Sequence, residues 1–271
     1  MAEITFTLDL EHHWYSLDPD RFVGASEAIL AMTQRLGVRG TVFVLGEVAG
    51  SHPDLVRAFA SAGHEIALHG FSHTPLPELT EQQVRTDITR GKEIVEETIN
   101  QRVVGYRAPY FSLTTLSRAT VATLAELGFT YSSSVLPVAN PQFGWPQSPA
   151  APYVWPEGIT ELPVPVLQVR NVGIPFLGGT YLRVLPKALI RAGIRRGRRD
   201  QVLWTYCHPY DVDAAEPFFS IPRLGYVQSR LLWLRRGAML QRLEELVRKN
   251  VAPPLDERVA AGIAGLVASP A

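Results

Sequence analysis

The first half of this chain has a rhythm that few folds accommodate. Short apolar runs at residues 4–8, 40–45, 65–68, 103–106 and 129–133 alternate with stretches of helical periodicity at 21–36, 54–62, 80–100 and 114–127. Runs this short read as strands, and apolar spacing of three and four gives each longer stretch one greasy face. Strand, helix, strand in that order calls for a parallel sheet or barrel with helices outside. The boundaries carry their own signals. Gly63 and Gly128 close two helices, and Thr80 with Gln83 three residues on has the spacing of a capping box. Residues 159–164 and 202–206 are predicted as later strands.

The chain has 271 residues, 46% of them hydrophobic, with 26 basic and 26 acidic side chains. That supports a sizeable core, and it argues against a disordered chain and against a nucleic-acid reader, which usually carries a positive excess. One cysteine excludes an internal disulfide and a thiolate metal cluster, so any metal would take His and carboxylate ligands. The start of the chain lacks the pattern of a secretory signal, and the apolar stretch at 259–267 is too short to cross a bilayer. The expectation is a cytoplasmic protein, with one domain over 1–250 and a peripheral tail over 251–271. Residues 137–156 break the rhythm: six prolines interleave with Phe143, Trp145, Tyr153 and Trp155, which forbids regular structure. Such a loop serves either as a substrate lid or only as a strap pinned to the body.

Polar residues that can do chemistry follow the predicted strands. His69 and His73 come just after the run at 65–68, four apart in a segment rich in Gly and Pro, where one turn brings both onto a metal. Asp9 and Glu11 flank Leu10 at the end of the first strand, so alternation sends both carboxylates to one side. One carboxylate with the two histidines makes a three-ligand set, leaving the other as proton acceptor; His12 and His13 are further possible ligands. Arg107 and Pro109 end the fourth strand, where an arginine can orient a carboxylate and a Pro-fixed turn can aim a backbone N–H at an oxyanion. Cys207 and His208 end the last strand on opposite faces, and His208 is placed inside.

In this order the pieces resemble the polysaccharide deacetylase family, that is, the NodB-homology or carbohydrate esterase family four proteins. The resemblance rests on residues 63–73 (Gly-His-Glu-Ile-Ala-Leu-His-Gly-Phe-Ser-His), on 104–109, on Gly128-Phe129 and on 131–135. Residues 178–186 and His208-Pro209-Tyr210-Asp211 are similar to the branch associated with exopolysaccharide and exosortase loci. The resemblance implies an α/β fold, a distorted (β/α)7 barrel, and metal-dependent removal of an N-acetyl group. It implies Asp9 as general base, Glu11, His69 and His73 as metal ligands, and the backbone N–H of Tyr110 in the oxyanion hole. His208 becomes the general acid and Arg107 the holder of the base. Zinc is first among the divalent metals implied, with Co, Ni, Fe and Mn as alternatives. Four positions depart from the pattern: Glu11 stands where many relatives have Asp, His12-His13 where the branch has Asp-Trp, and Ser132 where relatives have an Asp.

The expected activity is N-deacetylation of an amino sugar in a cell-surface glycan or in its lipid- or nucleotide-linked precursor. Two other readings stay open: a deformylase or small cyclic-amide hydrolase on the same fold, and a catalytically weak carbohydrate-binding protein. Between Leu162 and Arg199 there is no acidic residue, while Arg170, Arg183, Lys187, Arg191, Arg195, Arg196, Arg198 and Arg199 are basic. This run suits a pyrophosphate carrier or the anionic inner face of a membrane.

Overall fold

The fold was described from a computed structural model. It covers residues 3–270 apart from 14, 15, 17, 19, 141, 171, 198 and 222–224, and gives no side-chain description for 249 and 250. Pro141 and Arg198, singled out above, therefore lie outside the described residues. The first half alternates as expected: β1 (Phe6–Leu10), α1 (Arg21–Leu36), β2 (Gly40–Val44), α2 (Gly46–Ser51), α3 (Pro53–Ser61), β3 (Glu65–Leu68), α4 (Glu81–Ile99), β4 (Gly105–Tyr106), α5 (Thr120–Glu126) and β5 (Tyr131–Ser132). There follow β6 (Tyr153–Val154), β7 (Thr160–Glu161), the hairpin β8 (Val166–Val169) with β9 (Val172–Pro175), α6 (Gly179–Val184) and α7 (Lys187–Gly197). The chain ends with α8 (Pro209–Val212), α9 (Gly225–Trp233), α10 (Met239–Asn250) and α11 (Leu255–Ala260).

Strands β1 to β5 pair in sequence order and in parallel, β7 pairs parallel with β5, and β6 closes that edge antiparallel to β7. On the other side of β1 the predicted last strand is present only as bridges. Trp204 pairs with Thr5, Tyr206 pairs with Gly178, and Asp9 N–H donates to the Cys207 carbonyl. Thr7 explains the broken ladder, because its N–H goes to the Thr205 hydroxyl and its own hydroxyl to the Thr205 carbonyl. The result is a distorted barrel whose strands twist round a narrow interior. Alternation sorts the side chains: Phe6, Leu8, Leu10, Val42 and Val44 join the core under the helices, while Phe43, Ala67, Tyr131, Trp204 and Tyr206 fill the inside. Asp9 shares the inner phase, so the apolar barrel carries its polar groups at the carboxyl ends of the strands.

The capping box is formed, with Thr80 Oγ1 accepting from Gln83 N and Gln83 answering to Thr80 N. Three expectations change. The stretch 114–127 is not one helix: Thr114 and Ser117 bond each other's backbone, which makes a separate 3₁₀ turn before α5. The proline-rich loop is not wholly irregular, since Tyr153–Val154 pairs with β7. Trp145 and Trp155 stack within it and are buried, so most of its aromatics pin the loop to the body. Only Phe143 reaches the mouth, 6.2 Å from the Tyr110 ring. The residues after Asn250, expected to form a peripheral tail, instead plug the base of the barrel. Val251 bridges Ile4, Leu255 is fully buried, and Leu255 N and Asp256 N donate to Thr41 Oγ1 and Glu65 Oε2.

Candidate active site

Asp9 and Glu11 lie on the inner phase of β1 and its extension, each 2% exposed, with Leu10 turned to the helices. Beside them the chain leaving β3 turns sharply. Gly70 has φ 79°, and a Cβ there would stand 3.1 Å from Asp87 Oδ2. Asp87, from α4, accepts from Phe71 N, Ser72 N and the Ser72 hydroxyl. This clamp folds His69 and His73 back on each other, with ring centroids 5.2 Å apart. One donor atom from each of Glu11, His69 and His73 lies within 4.8 Å of the other two, and all three residues are buried.

The donor chemistry of this group fits a divalent metal. His69 Nδ1 is 2.9 Å from the Arg107 carbonyl oxygen, which only accepts, so Nδ1 carries the proton and Nε2 keeps its lone pair. Burial lowers the His69 pKa to about 4, so the ring is a neutral donor at physiological pH. His73 Nε2 is 2.5 Å from Glu11 Oε2. Burial opposes ionisation of Glu11, but His73 with His208 and His69 outweighs it and holds the carboxyl well below the usual range. Two imidazoles and one carboxylate make a set suited to zinc and its neighbours.

Behind the group, Arg107 is fully buried, its guanidinium 3.8 Å from the Phe43 ring centroid and 4.3 Å from that of Trp204. It donates to Asp9 Oδ1 at 2.5 Å, Thr7 Oγ1 at 3.0 Å and Ser133 Oγ at 2.9 Å. The serines at 132–134 divide the labour. Ser133 binds Arg107, Ser134 Oγ accepts from Ala108 N at 2.8 Å, and Ser132 donates to Ser134. Glu161, in register with Ser132 on the next strand, is fully buried and accepts from Ser134 N and Val135 N. A buried carboxyl thus stands beside Ser132, though it bonds backbone and not Arg107, and Arg107 has Thr7 and Ser133 as partners besides Asp9. Ala108 leads into Tyr110, which has φ 57°, a left-handed conformation uncommon outside glycine and often found at functional sites.

His208 closes the site from the far side. Its Nδ1 is 2.8 Å from Asp211 Oδ2, its Nε2 is 3.7 Å from Asp9 Oδ2, and its ring stacks on Tyr210. Burial disfavours its charge, but the bond to Asp211 and the carboxylates of Glu11 and Asp9 raise its pKa to about 9. Asp211 is paired in turn with buried Arg183 at 3.1 Å. A cleft of about 50 Å³ is lined by Asp9, Glu11, His69, His73, Tyr110 and His208.

All seven residues singled out from the sequence therefore meet in one place. His12 and His13 do not join the metal-ligating group found among the described residues. His12 packs edge-on against Phe22, and His13 sits 3.5 Å from Glu216. Cys207 is buried with its thiol pKa pushed up, and it belongs to the core under the helices. Sequence reasoning missed Asp87, Ser133, Ser134 and Glu161, whose partners lie far away in the chain. It gave Asp211 no role, although His-Pro-x-Asp has the spacing of an N-cap, a first-turn proline and an N3 acid, and the structure forms that box.

Comparison with known proteins agrees with this geometry. Residues 14–132 match the family model "Polysaccharide deacetylase", and residues 133–256 match "Domain of unknown function (DUF3473)". A peptidoglycan-N-acetylglucosamine deacetylase from Bacillus cereus is 36% identical over 31% of this chain, a match that spans 28% of that protein. Among solved structures, a Mycobacterium smegmatis protein assigned to the polysaccharide deacetylases superposes with TM-score 0.65 at 22% identity, covering 100% of this chain and 94% of that one. An allantoinase gives 0.62 at 18%, covering 97% and 91%. These two likenesses are of fold. Residues 14–132, with the motif residues they contain, thus belong to the polysaccharide deacetylase family, and a DUF3473 region completes the barrel.

Proposed function

We propose that this protein is a metal-dependent hydrolase that removes the N-acetyl group from an amino sugar of a cell-surface glycan or its lipid- or nucleotide-linked precursor. The observation that carries the reading is the position of Asp9, buried between Arg107 on one side and His208 on the other, beside the Glu11–His69–His73 group. Those three residues would hold the metal, zinc first among the candidates. A divalent cation held there would supply Lewis acidity for activating water and polarising the acyl group.

The remaining steps belong to the chain. Asp9, its Oδ1 fixed by Arg107, takes the proton from the attacking water through Oδ2. The backbone N–H of Tyr110 stabilises the oxyanion as the carbonyl carbon becomes tetrahedral. His208, kept protonated by Asp211 and the neighbouring carboxylates, then gives its proton to the departing sugar nitrogen as the C–N bond breaks. In this reading the acyl group sits in the cleft beside Asp9, and the sugar lies towards the aromatic rings of Tyr110, Phe143 and Tyr210.

Asp9→Asn is expected to abolish turnover and leave metal bound, while His73→Ala loses metal and turnover together. Full activity in Asp9→Asn removes this role assignment. The resemblance in fold to an allantoinase keeps the cyclic-amide reading in view, and release of product from a cyclic amide but from no N-acetyl sugar would favour it. Bound metal with no release from any substrate would favour a binding protein.

A further inference from the structure

Helix α9 is turned the wrong way for an ordinary surface helix. Its inner face is pinned: the Ser229 hydroxyl donates to Gly225 O and accepts from Ile221 N, and Trp233 Nε1 donates to Glu216 O. What it shows to solvent is apolar. Tyr226 is 59% exposed, Val227 73%, Leu231 47%, and Leu234 just past the helix 44%. The spacing 226, 230, 234 and 227, 231 puts these side chains with Arg230 on one face. A contiguous apolar face of this kind marks an interaction site.

The charge of the segment says what covers it. Residues 217–243 contain no Asp or Glu, and Arg230 and Arg235 are exposed without an ion pair among the described residues. Arginines interleaved with aliphatic and tyrosine side chains match anionic headgroups above acyl chains, the pattern of helices that lie in a bilayer interface. A second copy of the same face would instead set arginine against arginine. Nor is the helix remote from the site. Arg183 donates to the Leu232 and Leu234 carbonyls at its C-terminal end and pairs with Asp211, the partner of His208.

We infer that α9 is a docking surface for an anionic lipid bilayer, which seats the catalytic mouth beside the membrane face. No helix among the described residues is long and apolar enough to span a membrane, so the contact is peripheral. The inference goes beyond the hydrolase reading, and it is tested without turnover, so that either can fail alone.

The test is co-sedimentation of the full chain with mixed phosphatidylcholine–phosphatidylglycerol vesicles and with phosphatidylcholine alone, at low and high salt. The wild-type chain is expected on the anionic vesicles at low salt and off them at high salt. Partition should fall about thirtyfold in R230Q/R235Q, two cations at about 1 kcal/mol each. It should fall at least about tenfold in V227D/L231D, with near-UV circular dichroism unchanged in both pairs. No wild-type binding at low salt overturns the inference. So does binding that survives both pairs, or that is lost in R195Q/R196Q on α7 while α9 variants still bind. A wild-type dimer dispersed by V227D/L231D in sedimentation velocity also overturns it, because a second copy would then own this face.

Discussion

The family pattern expects Asp at 132, and the structure predicts that restoring it does harm. Ser132 is fully buried, stands in register with fully buried Glu161, and lies within hydrogen-bonding reach of it. Burial already pushes the Glu161 carboxyl up. In Ser132→Asp two carboxyls share one dry site, and one must stay protonated at neutral pH. Holding it neutral about three units above its ordinary pKa costs about 4 kcal/mol, at about 1.36 kcal/mol per unit. The sign follows from linkage. A folded-state pKa raised above the unfolded value leaves stability intact below the unfolded pKa and erodes it as pH rises towards the folded one. Urea unfolding should therefore show Ser132→Asp about 4 kcal/mol less stable than the wild type near pH 7.5, with most of the gap closed near pH 4. In the double variant Ser132→Asp/Glu161→Gln at least about 2 kcal/mol should return as coupling. A Ser132→Asp protein as stable as the wild type at pH 7.5, or one uncoupled from Glu161, would refute the claim that Glu161 leaves no room for a second buried carboxylate.

Three further outcomes follow from single residues. His64 is a buried neutral ring: Nδ1 accepts from Gly40 N, and Nε2 faces Thr33 Oγ1, whose proton goes to Leu30 O. Burial, with the Arg39 charge nearby, lowers its pKa to about 4. Its contribution is present above the unfolded value of about 6.5 and lost as pH falls through about 4, so the wild type should lose about 3 kcal/mol more than His64→Asn between pH 7 and pH 4. Parallel losses in urea titrations would contradict this. Ser133→Ala removes a hydrogen bond to a buried cation and should cost about 2 kcal/mol of stability. It should also lower kcat at least about tenfold with metal content unchanged, whereas Ser132→Ala has the smaller effect in both assays. Asp87→Ala frees the turn that carries His69 and His73, and should weaken metal binding about 10- to 100-fold by calorimetric titration, with far-UV circular dichroism unchanged.

What could be read in the sequence was whatever local chemistry decides. The helix from Arg21 to Leu36, the strand from Glu65 to Leu68 and the Thr80–Gln83 cap appear where periodicity and capping put them, because each is settled within a few residues. Helix α2 was not foreseen. It is short, contains two glycines, and is started by Gly46 N and Glu47 N donating to the carbonyls of Gly70 and Phe71, a contact between distant segments. The β8–β9 hairpin turns at Arg170 with φ 54°, without the glycine that usually announces such a turn. The site divides in the same way. Asp9, Glu11, His69 and His73 declare themselves by strand alternation and spacing, but Ser133, Glu161 and Asp87 act across strands and helices, where spacing along the chain is silent.

Central to the proposed function is that one buried mouth combines a metal group, a base and an acid for amide hydrolysis. It is tested most directly by measuring acetate release from a panel of free, nucleotide-linked and polyprenyl-linked N-acetyl amino sugars, alongside metal content by mass spectrometry. Acetate is expected from at least one of them, with about one metal ion per chain, loss of activity on chelation and recovery with zinc or a neighbouring divalent ion. Activity that survives complete removal of metal, or turnover unchanged in His73→Ala, would contradict it.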